Sequence, residues 1–158
     1  MVVPGSATLV DYSRKLSQDW RWALSEGSRF FEGHSAVQDA LRRIAQRLGE
    51  LNVAYAVVGG MALFHHGYRR FTEDIDLFVR PTADNVDRLR RALRRVWHDP
   101  SVEEIRVEDL AGEYPVVRYG TPDGFAVDVV SRVGDAFSYE DIECETMTVG
   151  DVPVRIAT

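Results

Sequence analysis

The stretch VVGGMALFHHGYRRFTEDIDLF, residues 57–78, contains two features that are unusual in a buried segment. Two glycines, Gly59 and Gly60, directly follow an apolar run. Two carboxylates, Asp74 and Asp76, lie two residues apart inside a second apolar run, where a strand would ordinarily place valines. Each apolar run is short and predicts a buried strand. A fold built on this stretch therefore has to accommodate bare backbone at the end of one strand and charge within the next.

The charged strand predicts a metal site. Alternate side chains of a strand point to the same face, so Asp74 and Asp76 project together while Ile75 and Leu77 face the other way. Adjacent carboxylates between core-type residues repel each other and lose hydration unless a positive charge compensates. Asp128 interrupts the apolar strand FAVDVVS in the same way. Carboxylate oxygens suit Mg²⁺, which also binds phosphate oxygens. The three aspartates predict a two-metal site for in-line displacement at phosphorus.

Each aspartate has an expected role in such a site. We expect Asp74 and Asp76 to hold both metal ions. We expect Asp128 to bind the ion that activates the nucleophile and to accept the proton of that nucleophile.

The residues around the two aspartates predict a phosphate-binding surface. Gly59 and Gly60 end a strand and begin a short helix, so bare N–H groups there can face a phosphate, helped by the helix N-terminus. Arg69 and Arg70 precede the aspartates, and an arginine there can pair with a β- or γ-phosphate. The Thr72 hydroxyl can bond to the same group. The sequence therefore predicts nucleotide binding by these five residues.

The remainder of the chain predicts an α+β domain with a small mixed sheet packed against helices. Residues 1–34 are expected to form an N-terminal arm or helix, and residues 35–158 the domain itself. Apolar residues at helical spacing predict two long helices, and turn chemistry separates several short strands. The predicted elements are a helix over residues 36–52 with Ser35 as its N-cap, a strand over Val53–Gly60, a short helix in MALFHHG, a strand over Asp74–Arg80, a helix over Asp84–Trp97, an edge strand over Val102–Glu108, a hairpin over residues 115–133 and two strands around Gly150-Asp151.

The helix over Asp84–Trp97 carries five arginines. Its apolar residues occupy one arc at 100° per residue, and the arginines lie opposite that arc or flank it. The pattern favours a solvated helix face, and the alternative is a salt-sensitive contact with nucleic acid or an acidic partner. The five residues are Arg88, Arg90, Arg91, Arg94 and Arg95.

Composition narrows the class of protein. The 158 residues, 45% hydrophobic and 28% charged, fit one globular domain. A net charge of -6 argues against a general nucleic-acid coat. Lys15 is the only lysine, so a phosphate clamp must use arginine, backbone N–H groups or metal. A single cysteine, Cys144, favours a reducing compartment and a cytoplasmic protein. No apolar run approaches the roughly 20 residues that span a bilayer, so no membrane partner is expected.

These motifs resemble a known superfamily. VVGG followed by YRRFTEDIDLFV is similar to the signature of polymerase β superfamily nucleotidyltransferases, in which a Gly-Gly or Gly-Ser pair and a short helix precede D-x-D. AVDVV supplies the expected third acid. Within the superfamily, GGMALFHHGYRRFTEDIDL most resembles the AbiEii-type group, found as toxins of toxin–antitoxin pairs. The resemblance covers residues 53–131, and its relatives usually continue into further helices that help form the acceptor site.

The resemblance implies an activity and its partners. It implies NTP as substrate, Mg²⁺ as cofactor, and transfer of a nucleoside monophosphate to a hydroxyl with release of pyrophosphate. The acceptor is expected to be tRNA or a protein, ahead of a small molecule such as an aminoglycoside, and a toxin would need an antitoxin protein. The alternative is a catalytically inactive nucleotide-binding or interaction domain of the same fold. Three intact acids argue against an inactive domain, because a site without activity has no physical need for three carboxylates flanked by apolar residues.

Overall fold

The computed structural model describes residues 36–59, 74–135 and 137–158. Three helices and two short 3₁₀ turns accompany eight strands in these ranges. The helices are α1 (residues 36–50), α2 (Ala83–Trp97) and α3 (Val107–Leu110), and the 3₁₀ turns are Pro100–Glu104 and Tyr139–Asp141. The strands are β1 (Tyr55–Val58), β2 (Asp74–Val79), β3 (Val116–Gly120), β4 (Ala126–Val130), β5 (Arg132–Val133), β6 (Phe137–Ser138), β7 (Cys144–Val149) and β8 (Val152–Ala157).

Six of the strands form one mixed sheet in the order β3-β4-β2-β1-β8-β7. β2 lies inside the sheet, antiparallel to β1 and parallel to β4. β4 pairs in turn with β3 as an antiparallel hairpin, and β8 joins the other side of β1 in parallel. β5 and β6 make a separate two-stranded hairpin that follows β4 directly. The α+β fold with a small mixed sheet is therefore confirmed.

One face of the sheet is closed by the helices. The apolar stripe of α1, including Leu41, Ile44 and Leu48, is fully buried and shares one core with α2 and with the inward residues of the sheet. Ile75 and Leu77 of β2 belong to that core. Because strand side chains alternate, the aspartates between them must project from the opposite face of the sheet. Because the helices cover one face of the sheet, the aspartates lie on the opposite face.

A buried asparagine fixes α2 to the sheet. The side chain of Asn85 is 1% exposed and accepts a hydrogen bond from the N–H of Ala54 at 2.7 Å. Its amide group donates to the carbonyls of Ala54 at 3.0 Å and Arg80 at 2.9 Å. Thr82 caps the same helix, accepting from the Asn85 N–H. These bonds tie the start of β1, the end of β2 and the start of α2 together.

Most predicted elements are confirmed, and one is wrong. The helix behind position 35, the helix ending at Trp97, the two central strands, the 115–133 hairpin and the final strand pair are all present. The expected edge strand over Val102–Glu108 is instead the 3₁₀ turn Pro100–Glu104 followed by α3. Asp99 causes this, because its carboxylate accepts from the Ser101 N–H at 3.1 Å and Pro100 stands at the first turn position.

Several predictions fall on residues outside the described ranges. The arm or helix over residues 1–34, the Ser35 cap and the MALFHHG helix are among them. Within the described ranges, no helix is both long enough and apolar enough to cross a membrane.

Candidate active site

The three predicted acids come together on the face of the sheet that the helices leave uncovered. Asp76 and Asp128 are direct partners in the parallel ladder of β2 and β4, so their side chains emerge side by side. Asp74 lies two residues before Asp76, opposite Ala126, and its Oδ1 atom accepts the N–H of Ala126 at 3.3 Å. The period of two in both strands, together with their register, is what gathers the three carboxylates.

The electrostatics of the cluster are unfavourable for a fully ionised state. Burial, together with the negative charges of Asp128 and Asp74, raises the pKa of Asp76 from 3.8 to about 6. The Arg118 charge acts in the opposite direction. The Asp76 carboxyl therefore holds a proton more readily than an exposed aspartate when no cation neutralises the cluster. The site gains from an added positive charge.

Asp128 has an oxygen that no donor satisfies. Its side chain is 15% exposed, and among the described residues its Oδ1 atom is buried without a hydrogen-bond partner. A buried carboxylate oxygen without a donor costs free energy, so such an atom calls for a ligand, a water or an ion. An all-carboxylate donor set with an unsatisfied oxygen fits a hard divalent cation such as Mg²⁺.

Arg118 is a site residue that the sequence analysis missed. It is the cross-strand partner of Asp128 in the β3–β4 hairpin. Its Nη2 atom lies 2.9 Å from Asp128 Oδ2 and 3.3 Å from Asp74 Oδ2. Within the described ranges, no group of three or more His, Cys, Asp or Glu side chains is arranged as a ready metal site. In this state the guanidinium lies between two of the acids that we expected to share a cation.

The hairpin register is the signal that could have located Arg118. The observed loop between β3 and β4 has five residues, with Gly120 opposite Ala126. The Thr121-Pro122-Asp123-Gly124 turn alone suggests a four-residue loop, which would pair Arg118 with Val127 instead. Only the alternation of buried and exposed residues along both strands selects the correct register.

Gly59 lies against Asp76 at the end of β1. Val58 is the ladder partner of Asp76, and Gly59 follows with a φ of +69°. A Cβ atom at this position would lie 2.0 Å from Asp76 Oδ2 and 2.9 Å from its Cγ. Glycine is therefore required here for two reasons: the backbone is left-handed, and a side chain would overlap the Asp76 carboxylate. The other predicted nucleotide-binding residues, Gly60, Arg69, Arg70 and Thr72, lie outside the described residues.

A cavity of about 470 Å³ opens on one side of Asp76. Its walls include Phe78 and Val130 from the sheet, and Phe137 from the β5–β6 hairpin stands edge-on to Phe78. Asp141 and Glu143 also line it. The cavity therefore combines apolar walls with carboxylates, and no cationic side chain is found among the described residues of its lining.

The arginines of α2 are engaged by carboxylates of the same chain. Arg88 pairs with Asp84 at 2.6 Å and Arg91 with Asp87 at 2.9 Å, each one helical turn away. The other three pair with Glu103 or Glu50. The interpretation of this surface as a solvated helix face is thus favoured over a free basic patch.

The fold and the site define a class of protein. An Asp-x-Asp pair lies on one strand, a third aspartate lies on its parallel neighbour, and a glycine ends the adjoining strand, which is the arrangement that the nucleotidyltransferase resemblance leads us to expect. A family model described as "Nucleotidyl transferase AbiEii toxin, Type IV TA system" matches residues 39–153, which is more than half of the chain. The chain therefore belongs to the AbiEii nucleotidyltransferase toxin family. No curated protein matches the chain.

Proposed function

We propose that this protein transfers a nucleoside monophosphate from an NTP to a hydroxyl acceptor in a metal-dependent reaction. The observation that carries the proposal is the register of Asp76 with Asp128, with Asp74 two residues away on the same open face. Membership of the AbiEii family supports the transferase chemistry. In the reaction, the acceptor oxygen forms a bond to the α-phosphorus, and the bond from that phosphorus to pyrophosphate breaks.

The three aspartates have separate roles in this proposal. Asp74 and Asp76 would hold Mg²⁺ ions, and Asp128 would share the ion nearest the acceptor. Bound Mg²⁺ would polarise the phosphate oxygens and neutralise the charge that develops on them. Asp128 faces Asp76 across the ladder and has an unsatisfied oxygen, so it is also the carboxylate best placed to accept the proton of the acceptor hydroxyl.

The proposal includes a direction for the bound triphosphate. Because acids and apolar side chains line the cavity beside Asp76, the triphosphate would lie toward Asp74 and Arg118 instead. Gly59, together with Gly60, Arg69, Arg70 and Thr72, remains the proposed phosphate-binding set on the sequence argument. The acceptor that we propose is tRNA or a protein, and a type IV antitoxin is the proposed regulatory partner. The lone cysteine supports a cytoplasmic location.

A second candidate keeps the fold without the reaction. A catalytically inactive domain of this family could bind a nucleotide or a protein partner. The buried, donor-free oxygen of Asp128 disfavours this candidate, because nothing structural in the described residues requires it. Thermal shifts detect nucleotide binding in either case, since a ligand at a hundredfold excess over its Kd adds about 2.7 kcal/mol of stability. Transfer of the nucleotide is what separates the enzyme from an inactive domain that binds nucleotide.

A transfer assay tests the proposal. The protein is incubated with Mg²⁺ and each NTP labelled at the α-phosphate, with total tRNA in one series and cell protein in another. Asp74→Asn, Asp76→Asn in one chain is compared with Asp151→Asn, an exposed aspartate in the β7–β8 turn. Label in RNA or protein that is absent with the double variant, is retained with Asp151→Asn and is lost with EDTA would support the enzyme and identify its acceptor class. Metal-dependent NTP binding without any transfer would favour the inactive domain.

A further inference from the structure

The guanidinium of Arg118 lies between two aspartates that the proposed reaction uses as metal ligands, and that reaction gives the arginine no role. A single nitrogen, Nη2, contacts both Asp128 Oδ2 and Asp74 Oδ2. Among the described residues, the Nη1 and Nε groups of Arg118 have no recorded hydrogen bond. This is a bridging contact through one nitrogen, not the two-point pairing by which arginine binds a carboxylate most strongly. Most of the donor capacity of the side chain is therefore left for another ligand.

The position of Arg118 in the fold allows it to move. β3 is an edge strand of the six-stranded sheet, and the Arg118 side chain is 63% exposed. Ion pairs with that much exposure contribute little and exchange readily, because solvent screens them. Asp128 is 15% exposed and is fixed by its place inside the sheet. The carboxylates are thus the fixed partners and the guanidinium the mobile one.

The charge balance of the cluster shows why a mobile cation matters. Among the described residues, Arg118 contacts two of the three aspartates, and its guanidinium reaches Asp128 Oδ2 but leaves Oδ1 without a donor. The single positive charge of the guanidinium does not balance the three carboxylate charges. A divalent cation would neutralise the cluster better than one monovalent group does.

We propose that Arg118 competes with a divalent cation for the Asp74 and Asp128 carboxylates, and that the guanidinium released by the cation then pairs with a phosphate of the NTP. The inference rests on the proposed function, since it takes a metal ion and an NTP as the ligands of this site. Arg118 holds the cluster together when the site is empty of metal. With metal present it becomes a positioning residue for the triphosphate, using the N–H groups that the bridging contact leaves over.

Binding measurements on four proteins test the competition. Mn²⁺ affinity without nucleotide is measured by EPR of the free ion, and affinity for each of the four NTPs in saturating Mg²⁺ by equilibrium dialysis. The proteins are the wild type, Arg118→Ala, Arg118→Lys and the control Arg91→Ala. Arg91 suits as a control because it is similarly exposed and pairs with a single carboxylate, Asp87, on α2.

The expected signature is a pair of opposite effects. Arg118→Ala should bind Mn²⁺ roughly three- to tenfold more tightly, because two exposed ion pairs no longer compete. The same variant should bind the preferred NTP roughly tenfold more weakly, because a charge-assisted bond to phosphate is lost. Arg118→Lys should stay within about twofold of the wild type for Mn²⁺, and the control should change neither affinity. The alanine variant should fold as the wild type does, because the Arg118 side chain is 63% exposed on an edge strand.

Other results would overturn the inference in distinguishable ways. Equal Mn²⁺ affinity in the wild type and Arg118→Ala would remove the competition and leave the proposed function intact. Weaker Mn²⁺ binding by Arg118→Ala would show that the arginine prepares the carboxylates for the metal. If neither protein binds Mn²⁺ or any NTP, the metal-dependent function itself fails, and the inference fails with it.

Discussion

Replacing Asp76 with asparagine should stabilise the metal-free protein at neutral and alkaline pH. Burial, helped by the charges of Asp128 and Asp74, raises the pKa of Asp76 from 3.8 to about 6. Between these two values the folded protein holds a proton that the unfolded chain has released. Stability therefore falls as the pH rises through this window, and the full penalty is present above pH 6. An asparagine carries no charge at any pH and escapes it.

The magnitude follows from the same two values. The folded and unfolded pKa values differ by about two pH units, and each unit is worth 1.36 kcal/mol, so the ceiling is about 3 kcal/mol. Asp76 is only half-buried, and solvent screening lowers that ceiling. We expect Asp76→Asn to gain about 1 to 2 kcal/mol at pH 8, or roughly 2 to 8 °C in Tm for a chain of this length. About a third of the gain should remain at pH 4.5.

The assay is urea unfolding in EDTA at pH 4.5 and pH 8, repeated at pH 8 with saturating Mg²⁺. Asp151→Asn is the matched control, since it makes the same chemical change on an exposed turn. With Mg²⁺ the order should reverse, because the cation stabilises the wild type and has lost a ligand in the variant. An Asp76→Asn protein no more stable than the wild type at pH 8 in EDTA would refute the reasoning. A gain of equal size at both pH values would assign the effect to packing and not to charge.

Three further predictions concern residues around the site and the core. Gly59→Ala should lose about 1 to 3 kcal/mol of stability and its divalent-cation affinity, because its Cβ would overlap the neighbouring carboxylate; Gly134→Ala, with a φ of +62° but open space around it, should show only the backbone strain in the same melts. Asn85→Ala should cost about 2 to 4 kcal/mol in urea unfolding, since it removes the side chain that bonds the Ala54 N–H and the Arg80 carbonyl and leaves the Ala54 carbonyl with the Arg80 N–H alone; a loss below 1 kcal/mol would contradict the account of that residue. Replacing Arg91 and Arg95 with glutamine should change the salt dependence of transfer to tRNA very little, because both already pair with carboxylates of this chain; a weakened use of tRNA would make α2 part of the acceptor surface.

Periodicity was sufficient to predict most of the fold. The apolar stripe of α1 and the alternation in β2 both follow from burying one side of an element, and burial dominates stability. The same alternation placed Asp74 and Asp76 on one face before any pairing was known. The edge strand predicted over Val102–Glu108 is wrong, because Asp99 and Pro100 form a start signal for a helical turn just before it.

The ion pairing of the site was beyond the sequence argument for a different reason. Arg118 is 44 residues from Asp74 along the chain, and they meet only because β3, β4 and β2 are consecutive in the sheet. A one-residue error in the hairpin register would move Arg118 to the other face. Long-range register depends on the whole sheet, so local patterns predict the acids on each strand but not their counter-ion.

The energetics of the cluster bear on the choice between an enzyme and an inactive relative. Asp76 is destabilising in the metal-free state, and Asp128 buries an oxygen that finds no donor in the described part of the chain. A domain that only had to fold or to present a surface would be more stable with amides at these positions. If Asp76→Asn stabilises the empty protein and abolishes its response to Mg²⁺, the carboxylate has a ligand to bind that outweighs its cost in folding. The wild type could instead show no change in stability with Mg²⁺ or NTP while the substitution still stabilises the protein. In that case no ligand offsets the folding cost of the Asp76 carboxylate, and the inactive domain becomes the better explanation.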